Sequence, residues 1–517
     1  MYLKIPARAQ KIIHSDIQEP LMFRPAIFLL LFLGLVCTTF GSTCLLSAAD
    51  TPDYIWIEGE NPDSASIAPG TGGWGKKQYL SEESWLNYGL DAQKVESDLT
   101  DDGILIRYDF RTDKASEREL WVRIGHEFIR AAFDWRVDGG EWTRVPNDEL
   151  TTDLMEIDTW CEIAWLKLGD VKLEAGDHSF EIRLPRLKDD KGKTLRIIFE
   201  LDAICLTEGR FYPNSKYKPD EDYRTDKDNE AAANVFRLPA PAKPGARSSV
   251  SLDGLWEIAR HDEHHPAATD TAIAELPENP YWSAISVPGD KNTQRHDLIF
   301  AHRLWYRTKV EVPQSCDGKS FYLVFPQNNL NTTVYVNGRL CGFDNNPYAR
   351  VQIDISKAVK PGENEIMVGI RDAWYGYSNN PDDPMKLRRK FNLPISFLGN
   401  GFQDLAYPIW HHAESGILVT PELVCAGDVY ASDVFCKPDV ENMKLGLEIT
   451  VDNPSAEAVS GQVVCRAVSL ATGQEEKRFA PVPLKIAAGE KRTVLDFTQA
   501  WDDARLWWPD DPQLYRL

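Results

Sequence analysis

The sequence has no basic surface of any length. Lys and Arg number 57 against 79 Asp and Glu, for a net charge of −22, and the longest basic run is the three residues Arg388-Arg389-Lys390. Nucleic-acid binding needs Lys and Arg to displace condensed counterions, so nucleic acid is excluded as a partner. Cysteine is sparse. Nine are scattered over 517 residues, with Cys37 and Cys44 near the N-terminus. The other seven are Cys161, Cys205, Cys316, Cys341, Cys425, Cys436 and Cys465. An odd, dispersed set without a C-x-x-C spacing is neither a disulfide framework nor a zinc site, and reads as buried small hydrophobes. No Gly-rich phosphate loop or nucleophile elbow is present. His261, His264 and His265 cluster, as do His411 and His412. Adjacent histidines on an extended chain point to opposite faces and chelate poorly, so these read as metal-free loops. Long helical periodicity is also missing beyond the N-terminal stretch.

What recurs instead is short alternating or β-branched runs separated by Gly, Pro, Asn and Asp. Ile104 to Phe110, Leu120 to Ile124, Phe180 to Leu184, Tyr322 to Phe325, Thr333 to Val336 and Leu445 to Val451 all read as strands. The fold class is all-β, in sandwiches. A chain of 517 residues exceeds one core, so several domains are expected. Aromatic residues make up 11%, including 16 Trp, which suits both sugar-binding faces and sandwich cores.

The N-terminus predicts export. Phe23-Arg24-Pro25 precedes the apolar run Ala26 to Val36, and Ser47-Ala48-Ala49 offers small residues for cleavage. Residues 1–49 are therefore expected to be a signal peptide, with translation starting at Met1 or Met22. The run is short for a membrane span and lacks a stop-transfer cluster, so no stable span is expected after cleavage. The location implied is periplasmic, cell-surface or extracellular.

Two regions share a layout. Asp138-Gly139 and Asn337-Gly338 each sit between apolar strands, where a tight hairpin needs positive φ at both residues. Each is followed by a Gly-led strand, at Gly176 and at Gly362. Two jelly-roll sandwiches of related design are the simplest account. The stretch 209–249 between them is charged, then rich in Pro and Ala, and reads as a linker. A third, smaller sandwich is expected over 426–517.

An ordered set of landmarks then appears. Leu252-Asp253-Gly254-Leu255-Trp256 is followed by Val287-Pro288-Gly289, Leu304-Trp305-Tyr306-Arg307, Val334-Tyr335-Val336-Asn337-Gly338 and Lys360-Pro361-Gly362-Glu363-Asn364. In this order they resemble the N-terminal sugar-binding jelly roll of family 2 glycoside hydrolases, here 250–425. The stretch Leu506-Trp507-Trp508-Pro509 resembles the end of that family's immunoglobulin-like sandwich. In the family this leads into a catalytic barrel, whose absence from these 517 residues is the expectation. The first domain, 54–208, resembles carbohydrate-binding modules of families 6 and 35 through Ile57-Glu58-Gly59-Glu60 and Leu201-Asp202-Ala203-Ile204. That resemblance implies structural calcium, with Glu58, Glu60 and Asp202 as ligands; solvated acids are the alternative.

Retaining glycosidases need two carboxyl groups about 5–5.5 Å apart. The family's acid/base lies in an Asn-Glu-Pro motif, which does not occur here; Glu278-Asn279-Pro280 has the order wrong. No catalytic residue is assigned. Trp74, Trp85 and Tyr88 in the first domain, and Asp372 and Trp374 in the second, are candidates to contact sugar, with core or loop packing as the alternative. The function implied is the glycan-binding and scaffold portion of an exported hydrolase of O-glycosyl bonds. The rivals are a stand-alone lectin-like protein and a structural surface protein that binds no sugar.

Overall fold

The computed structural model describes residues 53–517 apart from 73–74, 127–129, 148, 150, 159–160, 244, 262–271, 302, 330, 347, 372–413 and 491–492. The expected signal peptide, Trp74, Asp372, Trp374, His264, His265, His411 and His412 lie outside the described residues. Residues Thr51–Leu517 form one unit. It is almost entirely β-structure, and all six strands read from the sequence lie within observed strands. Among the described residues the longest α-helix, Asp226–Ala233, has 8 residues, and no helix is long and apolar enough to cross a membrane.

The first sandwich packs a six-stranded sheet on a five-stranded one. The larger sheet runs Tyr54–Glu58, Ile197–Glu208, Ser116–Gly125, Cys161–Leu173, Thr152–Asp158, with Leu86–Leu90 also on Ile197–Glu208. The smaller runs Ser64–Ala65, Ile104–Thr112, Gly176–Leu184, Phe133–Val137, Thr143–Val145. Alternation along Ile104–Thr112 puts Ile104, Ile106 and Tyr108 into the core, where they meet Phe180, Ile182 and Phe199. The second sandwich has the same plan. A seven-stranded sheet centred on Arg303–Val312 and Gly362–Arg371 faces a four-stranded sheet containing Phe321–Phe325 and Glu422–Cys425. Trp256, Tyr306, Phe325 and Val368 fill it. The third is a smaller set of sheets around Leu447, Ile449, Phe479, Phe497 and Trp501.

The two hairpins form as turn chemistry demands. Asp138 and Gly139 have φ of 51° and 66°, and Asn337 and Gly338 of 51° and 75°. The turn side chains also tie each hairpin to a neighbouring strand: Asp138 Oδ1 accepts Ser179 N–H, and Asn337 Oδ1 accepts Glu365 N–H.

The connection 209–249 departs from the expectation of a free linker. Phe211 is 4% exposed and wedges between Trp121 and Trp165, with ring centroids 5.5 and 5.0 Å away. Trp165 donates its indole N–H to Ser215 O at 2.7 Å. Tyr54 donates to Asp220 at 2.5 Å. A capping box between Thr225 and Asp228 then starts the helix Asp226–Ala233. Asp228 also accepts Ala284 N–H from the second sandwich at 2.6 Å. Finally Val235–Arg237 joins the second sandwich as a parallel strand beside Arg303–Val312. Composition marked this stretch as a linker, but its aromatic and capping residues find partners far away in sequence. Phe211→Ala is expected to cost about 3–5 kcal/mol, as for a large aromatic leaving a cavity, and to appear as a lowered urea midpoint of tryptophan fluorescence.

Candidate functional site

The expected calcium ligands sit where the first strand meets the last. Gly59 passes so close to Ile197–Glu208 that a Cβ there would lie 2.2 Å from Leu201 O, so only glycine fits. A register shift between Leu201 and Ala203 marks a bulge at Asp202. Asp202 is thereby turned onto the outer face, yet it is fully buried. Its carboxylate accepts Ser81 N–H at 3.0 Å and Arg123 Nη1–H at 2.7 Å, both ion-pair side chains being 0% exposed. Burial pushes its pKa up to about 6 even though Arg123 pulls it down. Each oxygen thus has one protein partner, and Asp202 serves as the counter-ion of Arg123.

Glu58 and Glu60 are different. Glu58 Oε1 accepts the Trp56 indole N–H at 2.9 Å. Glu58 Oε2 and Glu60 Oε2 are buried without a hydrogen-bond partner. Burial, with Glu58 and Glu82 nearby, raises the pKa of Glu60. The ammonium of Lys218, from the connection, lies 3.4 Å from Glu58 and 3.9 Å from Glu82. Two orphaned carboxylate oxygens suit a hard cation. Among the described residues, however, no three His, Cys, Asp or Glu gather as a metal-ligand set. Of the three expected ligands, Glu58 and Glu60 keep free oxygens and Asp202 is turned to Arg123.

Trp85 is 1% exposed in a cluster with Leu80, Met155, Ile157 and Ile163. Tyr88 is 3% exposed in the main core, its hydroxyl donating to Ile67 O. Neither offers a ring face to a sugar, so the packing alternative holds for both. His261 is also buried and accepts the indole N–H of Trp305.

The open site is elsewhere. A cleft of about 990 Å³ lies between the first sandwich, the connection and the second sandwich. Tyr79, Tyr212, Tyr217, Tyr223 and Tyr281 all line it. Three phenol groups are tied to protein: Tyr212 to Glu278 at 3.1 Å, Tyr223 to Trp282 O at 3.1 Å and Tyr281 to Tyr212 O at 2.9 Å. Tyr281 and Tyr223 pack edge to face at 5.4 Å. The rings are thus held in place, which lowers the entropic cost of using them. Charges along the wall are matched. Arg295 grips Asp297 with two bonds, at 2.9 and 2.5 Å, and holds its pKa down against the effect of burial. Arg260 reaches across to Leu154 O at 3.2 Å and Asp153 at 3.4 Å. Glu278, the residue of the reversed motif, pairs with Arg210 at 2.9 Å on the exposed rim. Such a cleft can hold a polyhydroxylated ligand against ring faces, and clefts between domains commonly bind ligands. Sequence reasoning missed it because its wall is assembled from residues far apart in the chain, from Tyr79 to Leu298. The tyrosine density of 212–223 was the available signal.

Residues 270–390 match the family model described as glycosyl hydrolase 2 galactose-binding domain-like. Residues 429–517 match the model of glycosyl hydrolases family 2. A curated protein of Formosa agariphila named "Putative beta-glucuronidase" is 29% identical over 97 residues, 18% of this chain and 12% of that protein. Among solved structures, a β-glucuronidase from glycoside hydrolase family 2 is 17% identical with a TM-score of 0.38, covering 53% of this chain and 28% of that one. A β-galacturonidase from Eisenbergiella tayi is 16% identical with a TM-score of 0.36, covering 54% and 42%. This chain thus spans less than half the length of each of these relatives. Two stretches, 270–390 and 429–517, are thus similar to domains of glycosyl hydrolase family 2, the first of them galactose-binding-like.

Proposed function

We propose that this chain is the carbohydrate-binding and scaffold portion of an exported glycoside hydrolase, whose catalytic barrel lies outside these residues. The observation that carries the reading is the two family 2 non-catalytic domains in one chain. The preceding sandwich, resembling modules of families 6 and 35, adds a glycan-binding element. The ring-lined cleft is the proposed glycan contact, in place of Trp85 and Tyr88. Hydrolysis of O-glycosyl bonds, in the manner of the β-glucuronidase-named relative, belongs to the parent enzyme. Export through the leader at 26–36 brings it to its polysaccharide. Calcium enters only through Glu58 and Glu60, which keep buried free oxygens.

The test is retention on insoluble polysaccharides, with and without a chelator. Retention in both conditions is the expected result. Loss on chelation would assign calcium to Glu58 and Glu60. No retention on any glycan would sink the binding role and leave a scaffold or structural surface protein. Within a positive result, Tyr217→Ala should weaken binding roughly tenfold, the effect of losing about 1.4 kcal/mol of ring contact. Affinity electrophoresis in gels containing the retained polysaccharide reads that change directly.

A further inference from the structure

The sequence scatters its cysteines, but the fold brings two of them together. Cys316 ends the short turn Gln314–Cys316, and Cys425 ends the strand Glu422–Cys425. Both are 0% exposed and belong to the same core cluster of the second sandwich. Cys425 sits opposite Phe321 on one side and Ser248 on the other. Ala426 N–H donates to Ser320 O at 2.8 Å and Lys319 N–H to Cys316 O at 3.2 Å, which folds the turn back over the strand end. The Cys425 thiol donates to Ala426 O at 3.8 Å, and Cys316 is the neighbouring thiol that acts on it. Cys205 sits in another cluster, and Cys341 is a partly buried residue packed against the edge of this one.

We infer that Cys316 and Cys425 are a disulfide-forming site, closed while the chain folds by exchange with an external disulfide in an oxidising compartment. The compartment, not the site, rests on the export proposed above. One cysteine thiolate attacks the external disulfide, forms a mixed disulfide and releases one thiol. The second cysteine thiolate then attacks the protein sulfur of that mixed disulfide and releases the second thiol. Two protein thiols are oxidised, one external disulfide is reduced to two thiols, and the two cysteine protons end on the released thiols. Burial, with Cys316 alongside, raises the Cys425 thiol to about 12, so the folded sandwich holds little thiolate there. Exchange therefore precedes closure of the sheet. The bond would tie the turn before one strand to the end of its neighbour across a long intervening loop, the arrangement in which a cross-link most restricts the unfolded chain.

The experiment refolds the full chain from urea in glutathione buffers of oxidising and of reducing composition. Iodoacetamide then blocks the remaining thiols, and unreduced peptides are mapped by mass spectrometry. The expected result in the oxidising buffer is one cross-linked pair carrying Cys316 and Cys425, with Cys205 and Cys341 alkylated. Its thermal midpoint should exceed that of the Cys316→Ala, Cys425→Ala double variant by roughly 5 °C or more. Recovery of native circular dichroism with both cysteines alkylated, or with either joined to another cysteine, overturns the site. Differential alkylation in cells that make the protein with its leader separates the two readings. A pair that closes in the oxidising buffer but is reduced in cells overturns export and leaves the site standing.

Discussion

Replacing Asp202 by alanine should destabilise the first sandwich by about 3–5 kcal/mol, the usual cost of leaving one member of a buried ion pair alone. Arg123 and Asp202 are both 0% exposed, and Arg123 also donates to Tyr79 O at 2.9 Å. Without the carboxylate, the guanidinium keeps its charge in a dry site. The same substitution frees Ser81 N–H, the start of the turn that covers this face. Urea unfolding at neutral pH reads the loss. Replacing both partners, Arg123→Met with Asp202→Leu, should recover most of it, because an apolar pair of similar volume needs no compensation. A double variant as unstable as Asp202→Ala would show that the bulge, and not the charge, is what Asp202 maintains.

Glu200 carries the second large effect, and it depends on pH. It is 4% exposed, and burial pushes its pKa up to about 9, opposed only by a hydrogen bond from Asn87 at 3.0 Å. Its other oxygen is buried without a partner. The folded protein therefore keeps this proton up to about pH 9, whereas an unfolded chain releases it near 4.5. With the folded pKa raised, the group's contribution is fully present below 4.5 and is lost as pH rises towards 9. The slope is about 1.4 kcal/mol per pH unit while the native state holds the extra proton. Glu200→Gln should match the parent near pH 4.5 and exceed it by several kcal/mol near pH 8, roughly as that slope accumulates. Gln keeps an acceptor for Asn87 and has no proton to lose. Parallel unfolding curves for the two proteins across pH 5–9 would remove Glu200 as the titrating group.

The parts of the fold that were legible are those set by neighbouring residues. Asp138-Gly139 and Asn337-Gly338 announce hairpins because positive φ at both positions is a local demand, and Ile104 to Phe110 announces a strand by its own alternation. The resemblance drawn from Leu252 to Asn364 overlaps the stretch the family model matches. The site was less legible. Trp85 has the composition of a sugar platform, but only the packing of Leu80, Met155 and Ile157 shows that its faces are covered. Asp202 looks like any acid at a strand end; its use is decided by Arg123, which lies on a neighbouring strand. Glu200 interrupts an apolar run and would be placed in solvent by pattern alone. The connection 209–249 hid its partners for the same reason, since Phe211 is paired with Trp121 and Trp165.

That connection also decides where inheritance could cut this protein. Composition suggests that the first module ends near 208 and could be exchanged as a cassette. A recombination break there would strip Phe211 from the Trp121–Trp165 face and remove Asp220 from Tyr54. It would leave the incoming neighbour with a tail whose helix and edge strand belong to the second sandwich. The smallest stretch that a lineage could trade without exposing an aromatic face runs past Asp220, and the edge strand Val235–Arg237 must travel with its host sheet. A break around 221–225 keeps Phe211 and Asp220 with the first sandwich and the capping box with the second, yet it still parts Tyr212 from Glu278 and Tyr281, so the first module can be traded only to a neighbour that replaces those contacts.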